Sequence, residues 1–128
     1  MSKEKYTRLT LEQLIAKKEQ ALEAKKKPQT IDLYIESLDA VIKVKEPSKE
    51  LVRDVAEMDD GDTYIAYQCC VEPNLKSTEL REAYGCAVPS EIVDMIFKPG
   101  EVSLIAKQCL ELAGYKDGVV TPVTDLKN

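Results

Sequence analysis

The sequence contains no histidine among its 128 residues. This absence excludes Ser-His and Cys-His nucleophile pairs and every metal site that needs an imidazole ligand. The glycine-rich motifs that bind nucleotide phosphates and the G-x-S-x-G turn of hydrolases are also missing from the sequence. A small enzyme that uses carboxylates is the remaining catalytic alternative. It would need two acidic side chains converging in a pocket, which a sequence cannot show.

Two further features are missing: C-x-x-C spacing among the four cysteines, and any long apolar run. No signal-like segment follows the first residues, and no apolar stretch approaches the length of a membrane span. We therefore expect a cytoplasmic chain without a metal or cofactor. In that reducing compartment Cys69, Cys70, Cys86 and Cys109 should be free thiols that pack like small hydrophobic residues.

Charge is spread unevenly along the chain, whose net charge is −5. Residues 1–47 hold ten Lys or Arg against eight Asp or Glu, whereas residues 48–115 hold six against thirteen. An acidic central segment repels a phosphate backbone. Residues 80–97 resemble a helix-turn-helix in spacing, but Glu91 and Asp94 lie where a recognition helix needs base-reading side chains. We therefore predict no nucleic-acid binding.

The first half of the chain carries signals for a helix and a hairpin. Thr10 and Gln13 have the spacing of a capping box, which begins a leading helix that Pro28 ends. Residues 30–36 and 41–45 alternate between apolar and polar side chains on either side of a turn, a pattern typical of a β-hairpin.

From Pro47 onward, caps and apolar periodicity indicate about five short helices. The sequence thus predicts an α+β fold, predominantly α, with a leading helix and one β-hairpin followed by a compact bundle of about five short helices. We expect one domain over residues 9–115, a flexible N-terminus at residues 1–8 and a mobile tail at residues 116–128.

Three aspartates surround a glycine at residues 59–62. An EF-hand calcium loop places its glycine at the sixth position, and Gly61 does not meet that spacing. We interpret the segment as a turn between two helices, with Gly61 closing one helix and Asp62 capping the next, which should run from about Thr63 to Val71.

Aromatic residues are few, and some are candidates for contacting a partner. Tyrosine is enriched at protein interfaces because it combines a large contact area with a polar tip. We predict a partner-binding surface that includes Tyr64, Tyr67, Tyr84 and Phe97. The alternative is that the tyrosines are half-buried parts of the core, and both interpretations stay open.

Several short sequence segments, by their order and spacing, resemble those of the XkdN-like tail assembly chaperones of long-tailed phages and prophages. The resemblance covers roughly residues 9–128. It rests on Pro47–Leu51, Met58–Asp62, Val71–Leu75, Leu80–Gly85, Ile92–Phe97 with the following Pro99-Gly100-Glu101, and Leu110–Tyr115.

The resemblance implies a non-catalytic protein that binds the helical tape measure protein and aids assembly of the tail tube protein. It implies no cofactor and absence from the mature virion. Since the sequence shows neither a signal nor a membrane span, we expect no membrane partner and a place in the host cytoplasm. The alternative is a structural tail or head-completion protein that stays in the particle. The resemblance leaves the oligomeric state open.

Overall fold

The computed structural model describes residues 6–126 and divides the chain into two units. One unit combines the two ends of the chain, up to Pro28 and from Lys116 onward, and the other comprises Gln29–Tyr115. The expected flexibility of residues 1–8 and 116–128 stays a prediction. Residues 1–5 and 127–128 of those segments lie outside the described range.

The first unit contains two short consecutive helices, α1 (Leu11–Ala16) and α2 (Lys18–Lys26). The Thr10 hydroxyl accepts a hydrogen bond from the Gln13 N–H at 3.2 Å, and the Gln13 side chain accepts one from the Thr10 N–H at 3.0 Å. The predicted capping box is therefore confirmed. The single leading helix is interrupted at Lys17, and neither helix buries a side chain.

The second unit begins with the predicted hairpin, formed by β1 (Thr30–Ile35) and β2 (Ala40–Lys45). A 3₁₀ turn at Glu36–Leu38 joins the strands, and Asp39 closes it in the left-handed region at φ 47°. Ile31 faces Val44 and Leu33 faces Ile42 across the antiparallel ladder. Apolar residues of both strands therefore share one face, as the alternation predicted.

A third strand, β3 (Cys70–Glu72), pairs antiparallel with β2 and gives the sheet the order β1-β2-β3. The predicted helix from Thr63 to Val71 is wrong in its last two residues. Periodicity cannot distinguish so short a strand from the end of an apolar helix. Glu72 lies opposite Lys43 in the ladder, and this pairing of unlike charges favours the strand.

Five short helices follow the hairpin, so the predicted α+β, predominantly α architecture is confirmed. They are α3 (Lys49–Val55), α4 (Gly61–Cys69), α5 (Thr78–Tyr84), α6 (Glu91–Ile96) and α7 (Pro99–Leu112). The Ser48 hydroxyl accepts a hydrogen bond from the Leu51 N–H at 3.1 Å and so begins α3. Ser77 caps α5 in the same way.

The helices α4 and α7 pack against each other and against the apolar face of the sheet. Their buried residues form one core with the hairpin and α6: Ile35, Ile42, Val44, Ile65, Ala66, Cys69, Leu75, Cys86, Ile92, Val93, Phe97, Val102, Ile105, Ala106 and Cys109. Three of the four cysteines are core residues and Cys70 is half-buried. Packing as small hydrophobic residues is therefore confirmed for those three.

The turn before α4 differs from the prediction. Gly61 does not close the preceding helix and Asp62 is not a cap; α4 begins at Gly61, and Asp62 lies in its first turn. A side chain at Gly61 would place its Cβ 3.0 Å from the Val55 carbonyl oxygen. Glycine is thus favoured here by the close contact between α3 and α4, not by a left-handed backbone.

Candidate partner-binding groove

A groove of about 590 Å³ opens on the Gln29–Tyr115 unit, between α7 and the connection from α3 to α4. Its lining is mostly apolar and includes Val52 and Val55 of α3, Met58 of the connection, and Val102 and Leu110 of α7. Met58 is 37% exposed, so part of its side chain is accessible. The groove thus offers an accessible apolar surface.

The length of the groove follows from its two ends on α7. Pro99 and Leu110 both line it, and they are eleven residues apart. At 1.5 Å per residue this separation is about 16 Å, or three helical turns. The α7 residues that line the groove therefore span about three turns of that helix.

Four carboxylates surround this apolar lining: Asp59, Asp60, Asp62 and Asp94. No Lys or Arg is among the lining residues that the structure describes. The Thr63 hydroxyl, in a side chain only 8% exposed, donates a hydrogen bond to Asp94 at 3.1 Å and so connects α4 to α6 at the rim. The groove is consequently apolar at its floor and negative at its edge.

The predicted partner-binding aromatic residues lie elsewhere and do not form one patch. Tyr64 and Tyr67 are half-buried on α4, with the Lys76 ammonium 5.7 Å from the centre of the Tyr67 ring. Tyr84 is 46% exposed at the end of α5, whereas Phe97 is 4% exposed and belongs to the core. None of the four lines the groove. A role in partner binding stays a prediction for the tyrosines, and Phe97 is not accessible in this conformation.

The groove itself was not found from the sequence, although one signal pointed toward it. Residues 54–75 contain six Asp or Glu and no Lys or Arg. An acidic run of this kind is usually a solvated surface, so by itself it does not indicate a groove. The apolar lining combines side chains of α3 and α7, which are about fifty residues apart in the chain.

A second apolar surface lies on α1 and α2, in the other unit. Leu11 is 73% exposed, Ile15 is 66% exposed, and Leu14 and Leu22 are each 53% exposed. Leu11, Leu14 and Ile15 follow the i, i+3, i+4 spacing of one face of α1, and Leu22 lies on α2. An amphipathic segment with its whole apolar face exposed is typical of a segment that contacts another protein.

Two of the thiols, those of Cys70 and Cys109, are held in their neutral forms. Burial, with a smaller contribution from Cys69, raises the pKa of Cys70 to about 11. A hydrogen bond with Cys69 and burial raise the pKa of Cys109 as well. A nucleophilic cysteine needs a lowered pKa and exposure, and neither of these two thiols has that combination.

Within residues 6–126, no three His, Cys, Asp or Glu side chains converge on a point where they would hold a metal ion. The four rim aspartates therefore do not converge in a group of three or more. None of the helices in the same part of the chain combines the length and apolarity that a membrane span requires.

Taken together, the fold, the groove and the amphipathic N-terminal helices define a small α+β protein with two accessible apolar surfaces, features typical of protein-binding domains. Residues 2–127 match the family described as phage XkdN-like tail assembly chaperone protein. The chain belongs to this family, which confirms the resemblance seen in its sequence.

The fold is also similar to that of a solved structure, the crystal structure of the protein YqbN. The TM-score is 0.55 at 20% sequence identity, and the match covers 70% of this chain and 87% of the YqbN chain. No curated protein matches the sequence. The likeness to YqbN concerns the fold alone.

Proposed function

We propose that this protein is a non-catalytic tail assembly chaperone that binds the phage tape measure protein reversibly and aids assembly of the tail tube. It acts in the host cytoplasm and is absent from the mature virion. Family membership supports the role in tail assembly. The observation that carries the binding role is the exposed apolar face of α1 and α2.

The apolar face of α1 and α2 is suited to bind another amphipathic helix. A tape measure protein presents long amphipathic helices whose apolar faces would associate with each other unless they are covered. Leu11, Leu14 and Ile15 lie on consecutive turns and can pack against such a helix. Each large aliphatic side chain that becomes fully buried contributes roughly 1.5–3 kcal/mol.

The charge of the chain supports the second requirement of a chaperone, which is a soluble complex. A net charge of −5 for 128 residues lies in the range that keeps small domains dissolved. Most of the negative charge lies in the Gln29–Tyr115 unit, whereas α1 and α2 carry several lysines. The face of α1 and α2 therefore belongs to a different unit from the one that carries most of the negative charge.

Co-expression tests the proposal. The full chain and the tape measure protein of the same phage are produced together, and the soluble tape measure protein that co-elutes with the chain is quantified. We expect the tape measure protein to be soluble only when the chain is present. A tape measure protein that is equally soluble alone, or that never co-elutes with the chain, would contradict the proposal.

A matched pair of variants locates the effect on the helical face. Leu14→Asp with Ile15→Asp should weaken co-elution about tenfold or more, because two apolar contacts are replaced by charges. Ala16→Asp with Gln20→Asp adds the same charge at exposed positions outside the set of large apolar residues. This control should retain the complex, and an equal loss in both variants would exclude the apolar face as the cause.

A further inference from the structure

We propose that the groove between α7 and the α3–α4 connection binds one amphipathic helix of the tape measure protein, in which Lys or Arg residues flank an apolar stripe. The inference rests on the proposed function and identifies a second binding site with its own chemistry. It concerns the Gln29–Tyr115 unit alone, so it can be tested separately from the face formed by α1 and α2.

The construction of the groove favours a helix over an extended strand as its occupant. Its walls are formed by side chains of α3, α4, α6 and α7 and by the α3–α4 connection. Helices satisfy their own backbone hydrogen bonds, so these walls offer no strand edge to which a peptide backbone could pair. An occupant must therefore bind through its side chains, as an amphipathic helix does.

The dimensions agree with this mode of binding. The floor extends about 16 Å along α7, which matches three turns of a partner helix with one apolar side chain or pair on each turn. Val52 and Met58 lie on one side of the floor and Val102 on the other. An apolar stripe of the partner would thus be enclosed from both sides.

The rim specifies the charge of the partner. Asp59, Asp60, Asp62 and Asp94 line the groove without a lysine or arginine among the lining residues. The rim would repel an acidic helix and attract a basic one. Lysine and arginine also have long aliphatic stems, which can cover the apolar lining while their charged ends reach these carboxylates.

Overlapping synthetic peptides that together cover the tape measure protein are the probe, each long enough for about five helical turns. Binding of each peptide to the full chain is measured by fluorescence anisotropy at low and at high salt. We expect the peptides that bind to combine a net positive charge with a helical apolar stripe, and to lose affinity as salt increases. Binding confined to acidic peptides would overturn the proposal.

Two isosteric double variants test the rim. Asp59→Asn with Asp62→Asn removes two groove carboxylates, whereas Glu79→Gln with Glu82→Gln removes two exposed carboxylates from α5. The two double variants are closely matched because Asp62 and Glu79 each lie in the first turn of a helix. We expect the groove variant to bind about three- to tenfold more weakly and the control to change less than about twofold. Equal affinities in the two variants would overturn the proposal.

Three further outcomes separate the possible failures. If the tape measure protein never co-elutes with the wild-type chain, both the proposed function and this inference fail. If the full-length protein co-elutes but no peptide binds the groove, only the groove assignment fails. If the groove variant changes the sedimentation of the chain itself and leaves peptide affinity unaltered, a second copy is the occupant and the proposal is overturned.

Discussion

Truncation of Ile105 to alanine should destabilise the protein strongly, whereas the same change at its neighbour Leu104 should not. Both residues lie near the middle of α7, but Ile105 is 3% exposed and Leu104 is 63% exposed. The two substitutions delete the same number of carbon atoms from the same helix. The difference between them therefore isolates the contribution of packing in the core.

The expected loss of stability in Ile105→Ala follows from the burial of this side chain. Replacing a fully buried isoleucine by alanine removes apolar contacts and leaves a cavity that the neighbouring helix fills only in part, at a cost of about 2–5 kcal/mol. Surface truncations of this kind usually change the free energy of unfolding by less than about 0.5 kcal/mol. Since small domains have total stabilities of about 5–15 kcal/mol, the Ile105→Ala protein should remain folded but unfold at a clearly lower urea concentration.

Urea unfolding followed by far-ultraviolet circular dichroism measures both variants. We expect Ile105→Ala to lower the midpoint with little change in the slope, and Leu104→Ala to overlay the wild type. Equal losses in the free energy of unfolding of the two variants, or a loss below about 0.5 kcal/mol for Ile105→Ala, would show that the face of α7 with Ile105 does not pack in the core.

Three other outcomes follow from individual contacts. Ser48→Ala removes the acceptor of the Leu51 N–H and should cost about 1 kcal/mol in urea unfolding, which Ser48→Asp should restore. A hydrogen bond from Ser37 holds the pKa of Glu101 below its ordinary value of 4.5. This stabilisation is present above that value and is lost as the pH falls below it, so Glu101→Gln should lose less stability on acidification than the wild type, as measured by urea unfolding across that range. Because the pKa of Cys70 is raised to about 11, Ellman's reagent at mildly basic pH should react slowly with the native chain, and it should titrate four thiols at once in denaturant.

The fold was predictable where local chemistry sets the structure. The capping box of Thr10 and Gln13 and the cap at Ser48 involve residues three positions apart, so their signals are complete within one turn. The alternation in residues 30–36 and 41–45 fixed the shared apolar face of the hairpin, because strand side chains repeat every second residue.

Features that depend on contacts between separate elements were missed. Strand β3 exists because β2 offers it a free edge, and three residues carry too little pattern to show this. The need for glycine at position 61 comes from its approach to Val55, a contact that no spacing rule expresses. The groove requires α3 and α7 to lie on either side of one surface, and Phe97 was expected at a partner-binding surface although it belongs to the core.

The central claim is that the protein binds tail components during assembly and then leaves. Quantitative mass spectrometry of the phage that encodes it tests this directly, by comparing tail precursors isolated from infected cells with purified mature particles. We predict a fixed ratio of the chain to the tape measure protein in the precursors and no detectable chain in the particles. A stoichiometric amount of the chain in mature particles would contradict the account and identify it as a structural component.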